Sequence, residues 1–387
     1  MDNKNGEKFV KALEKIKSTI CFERISDLKN KCKTIFVTTL GWGKNTLSRF
    51  KNVKWHKLPI NIWNMRKKIK IKKSAIYRGS AKMLKKLSDS WKTLLTVIPL
   101  FLFFYYVIGS LIVENIDVKT QYKIEKDDNV PFFKTADSMA FLIKREVDDK
   151  MWTPNLPLMF PAYILDNMPN FQIGIITAVK DMAGTLRYFK HNTDAQNKDI
   201  KNAYKFLNYA PNVWIMSRKG KFNLAPSSNS QYRKAANELR KFVRDGIYKP
   251  NSEDLALVMK KLSTQLQKLT VDSENYQQEN LNSWLNEKND DIFYNHKGYA
   301  FAMWQMSRVL CRDYKEIILE NNLYEDWVRL SKSLQKAAEF SPLIIRNGKI
   351  DSAFTPNHLI MQNYYLLRAI SAALKITGSL SERFNAD

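Results

Sequence analysis

The sequence predicts an all-α protein: a single transmembrane helix followed by a helical extracytoplasmic domain. Three observations carry this reading. One uncharged run, Thr93 to Val113, stands alone in a chain otherwise rich in charge. Charge is distributed unevenly about that run. Beyond it, apolar residues recur at spacings of three and four, with no convincing alternation of period two and no internal repeat.

The run reads TLLTVIPLFLFFYYVIGSLIV, 21 residues. At about 1.5 Å per residue it reaches roughly 31 Å as a helix, close to the ~30 Å hydrocarbon core of a bilayer. Pro99 lies inside it, which a membrane helix tolerates. A cleaved signal peptide would begin near residue 1 and end in small residues, whereas this run begins at residue 93 and ends in Leu111, Ile112 and Val113.

The flanks predict orientation. Before Thr93 stand 25 Lys and Arg against 6 Asp and Glu; the chain holds 63 and 38, which leaves 38 against 32 after it. The positive-inside rule then makes residues 1–92 a basic cytoplasmic arm, 93–113 the span, 114–130 a polar leader and 131–387 a helical periplasmic domain in the bacterial inner membrane. The pI near 9.7 belongs mostly to the arm. Within it, Phe9, Leu13, Ile16 and Ile20 suggest a short amphipathic helix, and residues 66–92 read as helical up to Trp91. Arg66, Lys67, Lys68, Lys70, Lys72 and Lys73 are placed to meet anionic lipid head groups, at about 1 kcal/mol each near the surface. Membrane proximity already accounts for this charge, so nucleic acid is not the expected partner.

In the exported part, helices are expected over residues 134–148, 169–190, 198–207, 230–245, 252–269, 291–319, 324–339 and 356–375. Pro154, Pro157 and Pro161 make residues 151–168 an ordered, extended or turning segment, and Pro169 suits a first helical position. Ser252, with Glu253 and Asp254, suits a helix start, and Gly246 a helix end. Residues 272–289 read as a polar connection with a helical turn near Trp284.

Familiar chemistry is absent from the sequence. GWGKNT lacks the spacing of a phosphate-binding loop, and neither GxGxxG, GxSxG nor HExxH occurs. Cys21 and Cys32 precede the span, so Cys311 has no exported partner for a disulfide; its apolar helical setting predicts a buried thiol. No spaced Cys/His set suggests a metal, and no cofactor is expected. His56 falls on the cytoplasmic side, and His191 sits at an expected helix end, where a cationic ring is favourable. Asp290, Asp291, His296 and His358 could form a site only if the fold gathers them; capping is the plainer reading for the acids. Glu146, Asp148, Asp166, Glu238 and Glu316 are acids of the kind a glycan-cleaving enzyme needs, without a local pattern to single them out.

Three stretches carry a resemblance: WTPNLPLMFPAYILDNMPNFQIGI (152–175), DDIFYNHKGYAFA (290–302) and NGKIDSAFTPNHLIMQNYYLLRAISAAL (347–374). Together they resemble an uncharacterised bacterial family, domain of unknown function 2333. Its members look like single-pass inner-membrane proteins with a helical periplasmic domain, and the similarity spans most of residues 93–375. The chain departs from the family in its long basic arm and at Asn295, His296 and Lys297. No activity comes with the resemblance. It directs attention to Trp152, Asn155, Asp166, Asn167, Asn170, Asp290, Asp291, Asn357 and His358 as binding or structural positions. Asp166, Asn167 and Asn170 around Pro169, and Asn357 before His358, suit helix starts. Sharing one surface, those starts would offer free amides to an anion or a peptide.

The function expected from these readings is a periplasmic interaction module with an envelope protein or cell-wall partner. The alternative is a peptidoglycan-acting enzyme with an unrecognised site.

Overall fold

The computed structural model describes residues 95–124, 133–164, 166–214, 225–244, 249–279, 287–342, 345–346 and 356–384. The chain divides into two compact units, Met1–Thr93 and Leu94–Asp387, and all described residues lie in the second. The expected arm helices, Gly246 and the turn at Trp284 fall outside the described residues. All regular elements among the described residues are helical.

Helix α1, Leu95–Val113, is long and apolar enough to cross a membrane. Its side chains stand exposed, with Phe101, Leu111 and Ile112 at 65, 70 and 76%. In water such a surface would be a large unfavourable term; in hydrocarbon it is the right one.

Residues 114–124 lead without a helix to α2, Lys134–Lys144. Its first turn is capped from afar: Asp313 Oδ2 accepts from Thr135 N at 2.8 Å and from Thr135 Oγ1 at 2.7 Å. The helix expected to run to 148 changes instead into a π-helical turn, Arg145–Asp149, closed by Lys150 N donating to the Arg145 carbonyl. That wider turn buries Arg145, Glu146 and Val147 together.

The proline-punctuated segment follows, ending in a 3₁₀ turn at Pro161–Ile164. Helix α3, Asn167–Leu186, starts two residues before Pro169. The proline sits in the first turn, where its missing N–H has no intrahelical acceptor to satisfy. Helix α4, Asp194–Leu207, begins at a reciprocal Thr193–Gln196 capping box, four residues earlier than expected. Helix α5 is Ser228–Arg244.

Helix α6, Ser252–Glu279, overturns the polar connection expected from 272. Its buried face runs through Leu266, Thr270, Ser273 and Gln277. The helical spacing continues there in polar residues, with Gln277 Nε2 donating to Ser273 Oγ, so a search for apolar periodicity loses it. Its cap is Asn251 rather than Ser252: Asn251 Oδ1 accepts from Asp254 N at 2.7 Å.

Helix α7, Glu287–Asp313, is the centre of the domain. Residues 296–307 are buried without interruption, the mark of a helix covered on all sides. It packs on α3, on α2 and on α9, Tyr324–Glu339. The single helix expected over 291–319 breaks at buried Tyr314 into α7 and a short α8, Lys315–Glu320. Helix α10, His358–Phe384, lies against α6 and α9.

The α3–α7 contact depends on two glycines. A methyl on Gly298 would strike the Phe171 carbonyl, and one on Gly174 the Asn295 carbonyl. Each lies three residues from the carbonyl facing the other, so the backbones approach directly. Around this crossing lie Phe171, Ile175, Tyr299, Phe301 and Ala302, all buried.

Candidate functional site

The three stretches that carried the resemblance meet on the first half of α7. Asp166 begins α3, its Oδ1 accepting from Asn167 N at 2.8 Å. Asn170, one turn on, donates its Nδ2 to the Asp166 carbonyl and to Asp291 Oδ1 at 2.5 Å. The α3 start is thereby stitched to the α7 start. From α10, Gln362 Nε2 donates to the Phe293 carbonyl, while Leu359 packs with Phe293 and Ile345 in a small separate core.

Asp166, Asp290 and Asp291 form an acidic group here. Burial, then the charges of Asp166 and Asp291, push Asp290 up to about 6. Tyr294 beside them is raised by burial and by Asp290, Glu114 and Asp166. Glu114 directly follows α1, so the group lies near the end of the apolar helix. Asp290 can take up a proton in the mildly acidic range, changing the charge of this surface.

The sequence candidates do not all join it. Asn357 caps α10, its Oδ1 accepting from Ile360 N at 3.0 Å. His358 Nδ1 accepts from Arg346 N at 3.0 Å, and its ring meets Phe340. His296 is six residues after Asp290, about 240° round a helix. It is buried in the core, and burial lowers it to about 4. The Asp290–Asp291–His296–His358 constellation therefore does not form. Trp152 is wholly buried, stacked edge-on with Tyr232 and donating to the Pro211 carbonyl. Asn155 Nδ2 donates to the Val213 carbonyl and to Asn229 Oδ1. Both tie the proline segment to α5. At each of these helix starts the cap side chain takes one amide, Asn167 N at Asp166 and Ile360 N at Asn357, and the acids beside Asp166 repel an anion.

A second network takes in one of the acids named from the sequence, Glu146, with partners that the sequence did not single out. Arg145 Nη1 meets Glu146 Oε1 at 2.6 Å, with both side chains nearly inaccessible. Nη2 donates to the Asp117 carbonyl, and the guanidinium lies 4.6 Å from the Phe301 ring centre. Gln172 Nε2 donates to Glu146 Oε2 and to the Met151 carbonyl, while its Oε1 accepts from Thr153 N and Oγ1. Burial raises Glu146, opposed by Arg145 and Lys150. Burial likewise lowers Lys150 to about 8. Burial acts to raise Asp117, but hydrogen bonds from Thr120 and Lys119 outweigh it and hold it at about 2. Lys150 Nζ also donates to the Asn115 carbonyl. The network locks the leader behind α1 onto the π-helical turn, and through Glu146 and Gln172 onto α3. An adjacent Arg-Glu pair has no sequence signal that marks it as buried.

Two concavities among the described residues bear on function. A cleft of about 160 Å³ between α3, α4, α6 and α7 holds Asp181, whose Oδ2 accepts from Tyr299 Oη at 3.2 Å. Burial raises Asp181. A groove of about 280 Å³ between α9 and α10 is lined by Arg329, Lys332, Lys336 and Arg368, with Glu325 and Tyr365. Tyr364 and Leu367 stand exposed on the same helix as Arg368. No group of three or more potential metal ligands occurs among the described residues.

Fold and sites define an all-helical domain joined to one candidate membrane helix. The chain belongs to a bacterial family, domain of unknown function 2333, described as an uncharacterised protein conserved in bacteria, which matches residues 155–256 and 251–382. The match covers the domain from Asn155 onward and leaves α1 outside it. No curated protein and no solved structure matches the chain.

Proposed function

We propose that this chain is a single-pass inner-membrane protein whose helical domain faces the periplasm and serves as an interaction module of the cell envelope. The basic arm is its cytoplasmic side, held to anionic lipid by the cluster from Arg66 to Lys73. The observation that carries the module reading is the α9–α10 groove. Four cations face one acid along it, with exposed Tyr364 and Leu367 beside them. Such a surface fits a protein segment that is acidic and partly apolar.

The rival reading is a peptidoglycan-acting enzyme, and the Asp181–Tyr299 cleft is the observation in its favour. At about 160 Å³ the cleft is smaller than ligand pockets of about 300 Å³ and above. Asp181 is the one carboxylate among its lining residues, where glycan cleavage commonly uses two. The groove is the better-supported site.

A photo-crosslinking residue at Tyr364 in the full chain tests this in cells. A protein adduct is expected, and Lys332→Glu with Lys336→Glu should reduce it roughly tenfold, with a smaller adduct at high salt. An adduct indifferent to both changes would overturn the electrostatic docking. No adduct, together with glycan turnover abolished by Asp181→Asn, would favour the enzyme.

A further inference from the structure

We infer that the segment Pro157–Tyr163 is a membrane-inserted wedge, lying beside α1 with its apolar side chains among lipid acyl chains of the adjoining leaflet. The inference rests on the reading of α1 as a membrane span and adds a second element to the membrane contact.

The segment is seated on α1. Tyr106 Oη donates to the Leu158 carbonyl at 2.5 Å, Tyr105 Oη to the Met159 carbonyl at 3.0 Å, and Ser110 Oγ to the Pro161 carbonyl at 3.0 Å. Gly109 lets Pro161 in, since a methyl there would collide with the pyrrolidine ring. Pro157 O accepts from Phe160 N, and Phe160 O from Tyr163 N. All five carbonyls from Pro157 to Pro161 therefore have a protein donor. Of the five amide positions, two are prolines without an N–H and a third, Phe160, is bonded, so that two of the ten backbone positions, the amides of Leu158 and Met159, are left without a protein partner among the described residues. A loop in water has no need of this. Backbone at membrane depth does, because hydrocarbon offers no partner and each unsatisfied group costs several kcal/mol. The same holds for the phenols of Tyr105 and Tyr106, set near the middle of the apolar run; the wedge carbonyls are their acceptors.

The side chains point the same way. Leu158, Met159, Phe160 and Tyr163 are 64, 74, 38 and 48% exposed. No charged residue occurs from Met151 to Leu165, and charge resumes at Asp166. Lengths decide the depth. Tyr105 is eight residues inside Val113, or about 12 Å along the axis. Were the wedge in water, the uncharged run left for the bilayer would be Thr93–Phe104, about 18 Å as a helix where ~30 Å is needed. If α1 spans, Met159 is in the hydrocarbon. Two attachments in place of one would fix the domain's tilt and height on the bilayer.

The test uses the full chain, with Cys21, Cys32 and Cys311 replaced by Ala, in phosphatidylethanolamine–phosphatidylglycerol vesicles containing brominated acyl chains. An environment-sensitive fluorophore is attached at Phe103→Cys, Met159→Cys or Lys260→Cys, a position within α1, the wedge tip and an exposed α6 position. Quenching at 159 is expected to reach at least about half of that at 103, with none at 260. Gly109→Leu, which drives Pro161 off α1, should reduce quenching at 159 and leave 103 unchanged. Quenching at 103 without quenching at 159 would overturn the wedge and keep the span. Absence at both would overturn the span and the wedge with it. Protection at 159 that disappears when the protein is diluted tenfold in lipid would assign the face to a second copy instead. A benzophenone residue at 159 in the chain with native cysteines is an independent check: adducts to lipid are expected, and adducts to the chain itself alone would overturn the proposal.

Discussion

Asp313 and Asp290 show how a single carboxylate couples distant parts of this domain. Asp313 ends α7 and caps α2, 178 residues earlier. Asp313→Ala should lower stability by about 1–2 kcal/mol, a cap lost with a buried amide left unpaired, measured by chemical denaturation. Both acids are raised from 3.8 to about 6, chiefly by burial. The native state therefore holds protons that the unfolded chain releases between about pH 4 and 6. Their contribution to stability is full below that window and is lost as pH rises through it. Asp290→Asn removes one such loss. Thermal melts of the variant should fall less than wild type between pH 4 and 7; an identical fall would sink the assignment. Asn357→Ala, which removes the Ile360 N contact, should cost roughly 1 kcal/mol if capping is its main role.

Between elements, the contact that sets the core is the α3–α7 crossing at Gly174 and Gly298. Gly298→Ala puts a methyl against the Phe171 carbonyl, and neither backbone can yield without separating the helices. A loss of about 1–3 kcal/mol is the expected scale for such overpacking. Gly378 in α10 is the control, with nothing within 4 Å of an added methyl. Gly378→Ala should stabilise by up to about 1 kcal/mol through helix propensity alone. Opposite signs from two Gly→Ala changes in one domain, read by the same melt, would separate backbone approach from propensity. The π-helical turn at Arg145–Asp149 acts at this scale too. It brings Arg145 and Glu146 inward together, where removing one partner would strand the other's charge.

For the molecule as a whole, the prediction is topological. A reporter fused after Asp387 should behave as exported and one placed before Lys92 as cytoplasmic, as the charge asymmetry about Thr93–Val113 requires. A cytoplasmic C-terminus would remove the basis of the envelope reading. How legible all this is depends on the range of the interaction. Tyr324–Glu339 has the bounds its spacing predicts, and the apolar run is a helix from Leu95, because i, i+3 and i+4 patterns are local. Spacing alone also determines the all-helical class, and the prolines mark the segment before α3 as extended or turning, which the structure resolves as turns and a short 3₁₀ helix. The extension of α6 escapes that reading, since its buried face there is polar. The site escapes it further: Asn170 meets Asp291 across 121 residues, and the Tyr105–Met159 contact spans 54. The sequence by itself determined where most of the helices lie, though not all of their bounds, and which one suits a membrane. Only the tertiary structure decided that Arg145 and Glu146 are buried, that His296 stands apart from Asp290, and that the proline segment lies along α1. Helical periodicity is written in neighbouring residues, whereas burial and long-range pairing depend on which helices pack together, and no local pattern records that.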